Sequence, residues 1–347
     1  TEIYTLSLHD ALPISSGFGW RLATGVWVAA MVLLPIWHAV YGTGIPEPAA
    51  RVLAWVLFVW MAWCLWFDAA CLAADVWQGL GWLTRGWLGE GRRLWVLPGR
   101  AVVLIAGAWV ALASVAGWFE AARVRLRTVE VTSAKLPAGT PPVRLAVLAD
   151  LHLGRTMRPG VVRQVLRLVG EAAPDAILSV GDLLDHPEER VRQRLPTLAA
   201  LPAPLGRYGV LGNHEVYFGV DSSVAWHREA GFRVLRGEGV DVGPWLRLVG
   251  VDDPAVRMTG ARPPPEDSLL ASAASADRVV VLLRHQPTVL SGARRHADIQ
   301  ISGHVHGGQI FPFGWLVRLV YPMAPGRIHV YPEGLRLYVS RGSGTWG

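Results

Sequence analysis

The pattern of hydrophobic and polar positions divides the chain into two parts. Long apolar runs dominate the first third, and from about Arg123 onward charged residues, glycines and prolines occur at the frequency typical of a globular domain. Three runs, 22–41, 52–74 and 101–119, reach the roughly 20 residues that a helix needs to cross a bilayer. None of them has an amphipathic face, which favours membrane spans over helices buried in a soluble core.

The second part alternates short apolar segments with amphipathic ones, which is typical of an α/β domain. A helix is predicted over 161–172, where Val162, Val165, Leu166 and Val169 share one face. A hairpin is predicted over 328–339, with its turn at Glu333-Gly334. Buried strands are predicted over 176–180, 208–211, 246–251, 279–283 and 299–302.

These patterns predict four regions. We interpret residues 1–16 as an artefactual leader, because they resemble translated adapter sequence, and we give them no functional role. Residues 17–122 form the membrane region with about three spans, and 123–142 form a strand-like lead-in and a proline-containing linker. The α/β domain occupies 143–347. The chain is thus expected to be a multi-pass membrane protein.

Positive charge gives conflicting signals about orientation in the membrane. Four arginines in the connection 75–100 favour a cytoplasmic location for that connection, which places the α/β domain on the outer face. Arg123, Arg125 and Arg127, just after the last apolar run, favour the opposite orientation. We expect an extracytoplasmic domain.

The formal net charge of +6 comes from scattered arginines and not from a dense basic block. This distribution favours a surface beside anionic lipid over a nucleic-acid-binding surface. The two cysteines both lie in an apolar run, which argues against a disulfide scaffold.

Five polar motifs follow the predicted strands at the same kind of position. Side chains at i and i+2 of an extended strand point the same way, so Asp150 and His152 can reach one point at the carboxyl end of the apolar run before them. Glycines beside these residues permit positive φ and close backbone approach. The motifs are Asp150-x-His152, Gly181-Asp182-x-x-Asp185, Gly212-Asn213-His214-Glu215, His285, and Gly303-His304-Val305-His306.

The residue types point to a two-metal site. Carboxylate, imidazole and amide donors without thiolate suit Mn, Fe, Zn or Ni ions and disfavour an all-oxygen Mg or Ca site. Seven candidate ligands are too many for one ion and appropriate for two. Each motif alone is commonly a turn or a buried histidine, and only their conjunction favours a metal centre.

The ordered set of motifs resembles that of the calcineurin-like metallophosphoesterases, in particular the membrane-associated bacterial, YkuE-like branch. The resemblance implies a two-sheet sandwich flanked by helices, with a two-metal site at the strand ends. It implies that Asp150, His152 and His306 bind one ion, that Asn213, His285 and His304 bind the other, and that Asp182 bridges them. It also implies that His214 donates a proton to the leaving group or holds a phosphoryl oxygen.

Several roles stay open in the sequence. Glu215 or Asp185 could hold His214, and for both a capping or turn role is equally compatible. Asp252-Asp253-Pro254 is more typical of a turn than of a further acidic site. Four histidines match none of the motifs and receive no role: His186, His227, His296 and His329.

We therefore predict a membrane-anchored phosphoesterase in which a metal-bridging hydroxide attacks phosphorus, without a covalent intermediate. The membrane region favours a phosphoester or pyrophosphate that is linked to a lipid. The alternatives are a non-catalytic membrane protein with a metal-dependent binding module, which predicts missing ligands, and a transporter, which predicts more spans and more polar residues within them. The sequence does not define an oligomeric state.

Overall fold

The computed structural model of the protein describes residues 26, 46–83, 97–185 and 189–346. These residues form two compact units, one ending at Glu120 and the other comprising Ala121–Trp346. The interpreted leader, almost all of the first predicted span and His186 lie outside the described residues.

The first unit contains two long apolar helices, α1 (Glu47–Leu83) and α2 (Gly99–Glu120). They include the second and third predicted spans, and both are long and apolar enough to cross a membrane. Few of their apolar side chains are buried; Leu104, for example, is 73% exposed. Within this unit Trp63 Nε1 donates to Ser114 Oγ at 2.9 Å, which joins the two helices through a polar contact.

The first sheet of the α/β unit contains four parallel strands in the order β1-β2-β3-β4. Its central strand, β2, is buried along its whole length, which explains the continuous apolar run in its sequence. The strands are β1 (Leu145–Leu148), β2 (Ala176–Val180), β3 (Arg207–Val210) and β4 (Arg233–Val234). The helices in this half are α3 (Pro159–Ala172), α4 (Glu189–Arg192), α5 (Leu195–Ala199), α6 (Asn213–Tyr217) and α7 (Val220–Glu229).

The second sheet contains six strands in the order β5-β6-β7-β8-β10-β9, antiparallel at both edges and parallel between them. The strands are β5 (Glu238–Val242), β6 (Leu246–Gly250), β7 (Val279–Leu283), β8 (Ile299–Ser302), β9 (Ile328–Val330) and β10 (Arg336–Val339). The helices are α8 (Glu266–Ala273), α9 (Ser291–His296) and α10 (Phe313–Val320), with 3₁₀ turns at Pro254–Thr259 and His306–Gly308.

The two sheets pack face to face around one apolar layer. Leu178 and Val210 of the first sheet and Leu248 and Val281 of the second belong to the same buried cluster. A second cluster lies between the first sheet and α3, and a third contains residues of α8, α9 and the second sheet. The predicted two-sheet sandwich flanked by helices is therefore confirmed.

The predicted elements agree closely with those observed. The predicted helix and all five predicted strands form within one or two residues of their expected bounds, and β9 and β10 make the predicted hairpin. The strand-like lead-in predicted within the linker 123–142 is not observed, because residues 128–142 form no strand. This segment contacts the α/β unit instead, where Lys135 Nζ lies 2.7 Å from Asp298 Oδ2. Helix α10 had no counterpart among the predicted elements.

Candidate metal centre

The five polar motifs come together where the carboxyl ends of both sheets meet. Loops after β1, β2 and β3 supply residues from the first sheet, and loops after β7 and β8 supply residues from the second. All seven predicted ligands and the predicted proton donor, His214, are brought together through the contacts described below. Asp150, Asp182 and His285 are among the most buried polar residues of the described chain.

One cluster consists of Asp150, His152 and His306, whose possible ligand atoms lie within 4.8 Å of one another. The Nε2 atoms of His152 and His306 are 3.0 Å apart, and His306 Nε2 is 3.9 Å from Asp150 Oδ1. Two nitrogens that share an ion at about 2.1 Å are separated by about 3–3.4 Å, so this spacing suits joint coordination.

A second cluster is built around the side-chain amide of Asn213. Its Oδ1 lies 3.1 Å from His285 Nε2 and 3.0 Å from His304 Nδ1. His285 Nδ1 donates to the backbone carbonyl of Val180 at 2.9 Å. Because that nitrogen donates to the carbonyl, Nε2 is the ring atom that faces the cluster and would bind an ion. Burial lowers the pKa of His285, but the Asp182 carboxylate outweighs burial and raises it to about 10, so a cation would displace the proton from Nε2.

Asp182 lies between the two clusters. Its Oδ2 is 3.2 Å from His285 Nε2 and 3.7 Å from His152 Nε2, so a single oxygen is close to an imidazole of each cluster. Its Oδ1 accepts the backbone N–H of His214 at 3.0 Å. Burial raises the pKa of Asp182, but the neighbouring imidazoles outweigh burial and hold this pKa well below its usual range. The carboxylate is therefore charged.

Two histidines of the clusters are held in the neutral form that a metal ligand requires. Burial lowers the pKa of His304 to about 4 and that of His306 to about 3, and the neighbouring imidazoles contribute to both shifts. Burial raises the pKa of Asp150 to about 6. Asp150 Oδ2 and His306 Nδ1 are buried and have no hydrogen-bond partner among the described residues. The mixed oxygen and nitrogen donors and these unpartnered atoms fit bound divalent cations.

The part of the chain that carries all seven candidate ligands matches a known family. Residues 143–308 match the calcineurin-like phosphoesterase domain. An uncharacterised metallophosphoesterase of Aquifex aeolicus is 35% identical over 225 residues, which are 65% of this chain and 85% of that protein. The chain belongs to the calcineurin-like phosphoesterase family. Members typically bind two divalent metal ions, and the two clusters are candidate ligand sets for them.

Other relatives of this calcineurin-like phosphoesterase combine the domain with membrane segments. A Bos taurus transmembrane protein with a metallophosphoesterase domain is 32% identical over 279 residues, covering 76% of this chain and 61% of that protein. The uncharacterised metallophosphoesterase YkuE of Bacillus subtilis is 29% identical over 231 residues, covering 62% of this chain and 76% of that protein. With the apolar helices α1 and α2, the transmembrane relatives indicate membrane association.

The two carboxylates whose roles the sequence left open make different contacts in the structure. Asp185 Oδ1 accepts a hydrogen bond from His214 Nδ1 at 2.7 Å and lies 3.4 Å from His152 Nδ1. These hydrogen bonds lower the pKa of Asp185 to about 2, although burial opposes the shift. Burial lowers the pKa of His214, but Asp185 and Asp182 outweigh burial and raise it above the ordinary value. His214 is therefore prepared to carry a proton.

Glu215 organises the backbone of the site and does not hold His214. This completely buried carboxylate accepts N–H groups from Asp182 at 2.9 Å, Leu184 at 2.9 Å and Gly212 at 2.8 Å. It thereby fixes the loop after β2 to the turn that begins α6. The capping interpretation of Glu215 is correct, and the interpretation as a partner of His214 is wrong.

Backbone strain in the α/β unit is concentrated at the candidate ligands. Five of them have positive φ, which is uncommon for residues other than glycine: Asp150, His152, Asp182, His304 and His306. The adjacent Gly303 is needed for space instead, since a Cβ there would lie 2.5 Å from Asp150 Oδ2. At Gly212 a Cβ would overlap Asp182 Oδ1. The expectation that glycines supply positive φ holds at Gly181 (φ 95°), but at the ligands the polar residues adopt it themselves.

Several residues around the site were missed in the sequence. The ring of Tyr321 packs edge-on against His304 at 5.7 Å between centroids, and Trp346 packs in the same way against His214 at 5.6 Å. Trp346 is held by Gln309, whose side chain exchanges hydrogen bonds of 2.6 and 3.0 Å with its backbone. Neither aromatic residue belongs to a motif, so only the fold brings them to the histidines.

Four polar residues outside the motifs have partners of their own among the described residues: Asp252, Asp253, His227 and His329. Asp253 caps the 3₁₀ turn by accepting from Ala255 N at 2.8 Å, and Asp252 pairs with Arg236 at 2.8 Å. The turn interpretation of this acidic pair is therefore correct. His227 donates to the Ser223 carbonyl inside α7, and His329 lies 3.0 Å from the Ala324 carbonyl.

Proposed function

We propose that the protein is a membrane-anchored, two-metal phosphoesterase that hydrolyses phosphomonoester or phosphodiester bonds. The observation that carries this proposal is the position of Asp182 Oδ2, 3.2 Å from an imidazole of one cluster and 3.7 Å from an imidazole of the other. An anionic oxygen with two usable lone-pair directions, placed between two such sets, suits a shared ligand of two cations.

The residues divide into two sets of ligands. Asp150, His152 and His306 would hold one ion, Asn213, His285 and His304 would hold the other, and Asp182 would be shared between them. The donor set favours Mn, Fe, Zn or Ni ions. Two bound cations of this kind supply Lewis acidity toward a phosphoryl oxygen and an activated water as the nucleophile.

The protein itself supplies proton transfer and positioning. His214 carries a proton to the oxygen of the leaving group, and Asp185 fixes its ring through the 2.7 Å hydrogen bond to Nδ1, leaving Nε2 free to donate. Glu215 holds the backbone of the loop that bears Asp182. Trp346 covers one side of His214 and limits access of bulk water to it.

The membrane helices suggest where the substrate is found. We propose that the protein spans the membrane more than once and that the phosphoesterase domain lies outside the cytoplasm, because four arginines lie between α1 and α2 or border them. A phosphoester or pyrophosphate that is linked to a lipid is then the substrate that the enzyme meets at highest local concentration. An enzyme fully active on nucleotides and inactive on every lipid-linked substrate would contradict this substrate class.

A non-catalytic metal-binding module fits the site less well. Binding alone does not require a proton donor, yet His214 lies beside the clusters with its own carboxylate partner, Asp185. A transporter would require polar groups within the spans, and among the described residues of α1 and α2 the acidic residues inside the apolar stretches are few, with Asp68 the main example.

Metal analysis combined with turnover tests the proposal. The full chain, purified in detergent, should hold two divalent ions and hydrolyse 4-nitrophenyl phosphate or bis(4-nitrophenyl) phosphate. Asp182→Asn should lower turnover by at least 100-fold and reduce the metal content while the protein stays folded. Asp241→Asn is the matched control, since Asp241 is an exposed residue of the edge strand β5 and its carboxylate pairs with Arg247 of β6. If Asp182→Asn kept full turnover, the shared-ligand role would be wrong.

A further inference from the structure

Helix α10 presents a wide apolar face away from the domain. Val317 and Tyr321 pack against the small buried cluster of Val305, Leu337 and Val339. The remaining large side chains point outward: Phe313, Trp315, Leu316, Leu319 and Val320 are 42%, 64%, 54%, 81% and 71% exposed. A contiguous apolar surface of this kind is typical of a contact with another apolar phase.

The sequence segment that contains α10 carries only positive formal charge. Residues 309–332 contain Arg318 and Arg327 and no Asp or Glu. An apolar helix face with a tryptophan, bordered by arginines and free of acidic residues, is the composition of a helix that lies in the headgroup region of an anionic bilayer.

The chain that follows α2 contacts helix α3 and the segment that follows α10. The backbone of Val124 exchanges two hydrogen bonds of 3.2 Å with the side chain of Gln164, and Arg127 Nη1 lies 3.5 Å from the position of a Cβ at Gly326. Arg127 follows Glu120, the last residue of α2, by seven residues, which span at most about 25 Å. Gly326 follows the end of α10 by six residues. If α2 spans a bilayer, only seven residues of chain connect the end of that span to Arg127.

Both ends of α10 contact the loop that carries His304 and His306. At its start, Gly314 lies so close to Gly308 that a Cβ at Gly308 would overlap it. Just after its end, Tyr321 packs against the ring of His304. A surface that contacts α10 therefore lies beside the mouth of the candidate metal centre.

We propose that α10 is a bilayer-contact helix, whose outward face enters the headgroup region of an anionic membrane and holds the mouth of the metal centre at the lipid surface. Resting on the proposed phosphoesterase function, this assigns the substrate to the amphiphilic phosphoesters whose apolar part stays in the bilayer. The contact itself does not depend on turnover.

An environment-sensitive fluorophore tests the contact in the full chain. Cys64→Ser and Cys71→Ser remove the native thiols, and Leu319→Cys then carries an NBD label in vesicles of phosphatidylglycerol and phosphatidylcholine. We expect blue-shifted emission that is quenched at least twofold by lipids with a nitroxide near the headgroup. The matched control is Ala276→Cys, an exposed residue that precedes β7 at the end of the sheet opposite His285. Its label should stay in an aqueous environment.

The same measurement distinguishes the other possible contacts of this face. Emission like that of the control would mean that α10 is open to solvent, and it would overturn the proposal. Blue-shifted emission without nitroxide quenching would mean that protein covers the face, either a second copy or another segment of the chain. That result would also overturn the proposal.

A second variant tests the substrate class. The double change Leu316→Ser and Leu319→Ser alters only exposed side chains, so turnover of soluble 4-nitrophenyl phosphate should stay within twofold of wild type. Turnover of a phosphatidate presented in vesicles should fall at least fivefold. Equal turnover of vesicle-borne substrate would contradict the assigned class. Absence of turnover by the wild-type protein on every phosphoester would instead contradict the proposed function and leave the fluorescence result unaffected.

Discussion

The carboxylate of Glu215 accepts the backbone N–H of Asp182 at 2.9 Å, inside a pocket from which solvent is completely excluded. The same carboxylate accepts the N–H groups of Leu184 and Gly212, so one side chain fixes two loops that carry candidate ligands. A buried charge that satisfies three donors stabilises the fold only while all three bonds are present.

Glu215→Gln should therefore destabilise the protein and displace Asp182. The amide can accept with only one of its two polar atoms, so at least one buried N–H loses its partner. We expect the free energy of unfolding to fall by about 2–3 kcal/mol and the metal content to fall with it. Thermal unfolding in detergent measures the first effect. Glu238→Gln, which changes an exposed partner of Arg233, is the control and should alter the stability by less than about 1 kcal/mol.

His214→Ala should affect substrates according to their leaving group. An alkoxide leaves poorly without a proton, so hydrolysis of an alkyl phosphate should slow by about 100- to 10,000-fold. The 4-nitrophenolate ion leaves well unaided, and its ester should be affected much less. Steady-state kinetics on both esters measures the difference, with His296→Ala as the control. An equal loss on both esters would exclude proton donation and indicate a purely binding role.

Asp150 should make metal stabilisation depend on pH. Burial raises its pKa to about 6, from an ordinary value of about 4. Because the folded pKa is the higher one, the metal-free fold loses stability as the pH rises through this window and the buried carboxyl loses its proton. A bound cation offsets that loss. Mn²⁺ should therefore raise Tm more at pH 7.5 than at pH 5, because at pH 5 the ion must also displace the proton of the Asp150 carboxyl group.

Thermal unfolding with and without Mn²⁺ at both pH values checks this prediction. His304 and His306, with pKa values of about 4 and 3, are neutral at both pH values and contribute little to the difference. In Asp150→Asn the difference between the two Tm shifts should become smaller without vanishing, because a cation must also displace the proton of His285, whose pKa Asp182 raises to about 10 against the effect of burial. A wild-type shift of equal size at pH 5 and pH 7.5 would argue against Asp150 as a ligand.

Gly303→Ala should damage the site through a single methyl group. The new Cβ would lie 2.5 Å from Asp150 Oδ2, so the carboxylate must move away from His152 and His306. We expect loss of one of the two metal ions and at least a tenfold loss of turnover, measured by elemental analysis and kinetics. Gly170→Ala is the matched control. Gly170 lies in α3, no atom lies within 4 Å of its Cβ position, and alanine should stabilise that helix by up to about 1 kcal/mol. Full metal content in Gly303→Ala would contradict the assigned position of Asp150.

The candidate ligands could be predicted from the sequence because their positions depend on local patterns. A strand such as β2 is buried on both faces and appears as an unbroken apolar run, and the polar residue that ends it must lie at the edge of the sheet. Once several strands are parallel, their ends meet. The sequence thus predicted which side chains gather without any knowledge of the angles between the strands.

Other features depend on contacts between distant segments and were not predictable. Positive φ at His152 or His304 is unfavourable by itself and persists because the surrounding loops impose it. The role of Glu215 was ambiguous because its donors come from the loop after β2, more than 30 residues earlier, as well as from its own turn. Helix α10 is amphipathic but spans only eight residues between proline-containing segments, too few turns for its periodicity to stand out, although the absence of acidic residues over 309–332 is visible in the sequence.

The candidate site takes Asp182 and Asn213 from one sheet and His285 and His304 from the other. Neither sheet can form an active metal centre without the other, since each carries too few donor side chains to bind two cations. Cations would consequently bind only to a correctly assembled domain. A nascent or damaged molecule whose two sheets have separated would be inactive and would not hydrolyse phosphoesters unselectively.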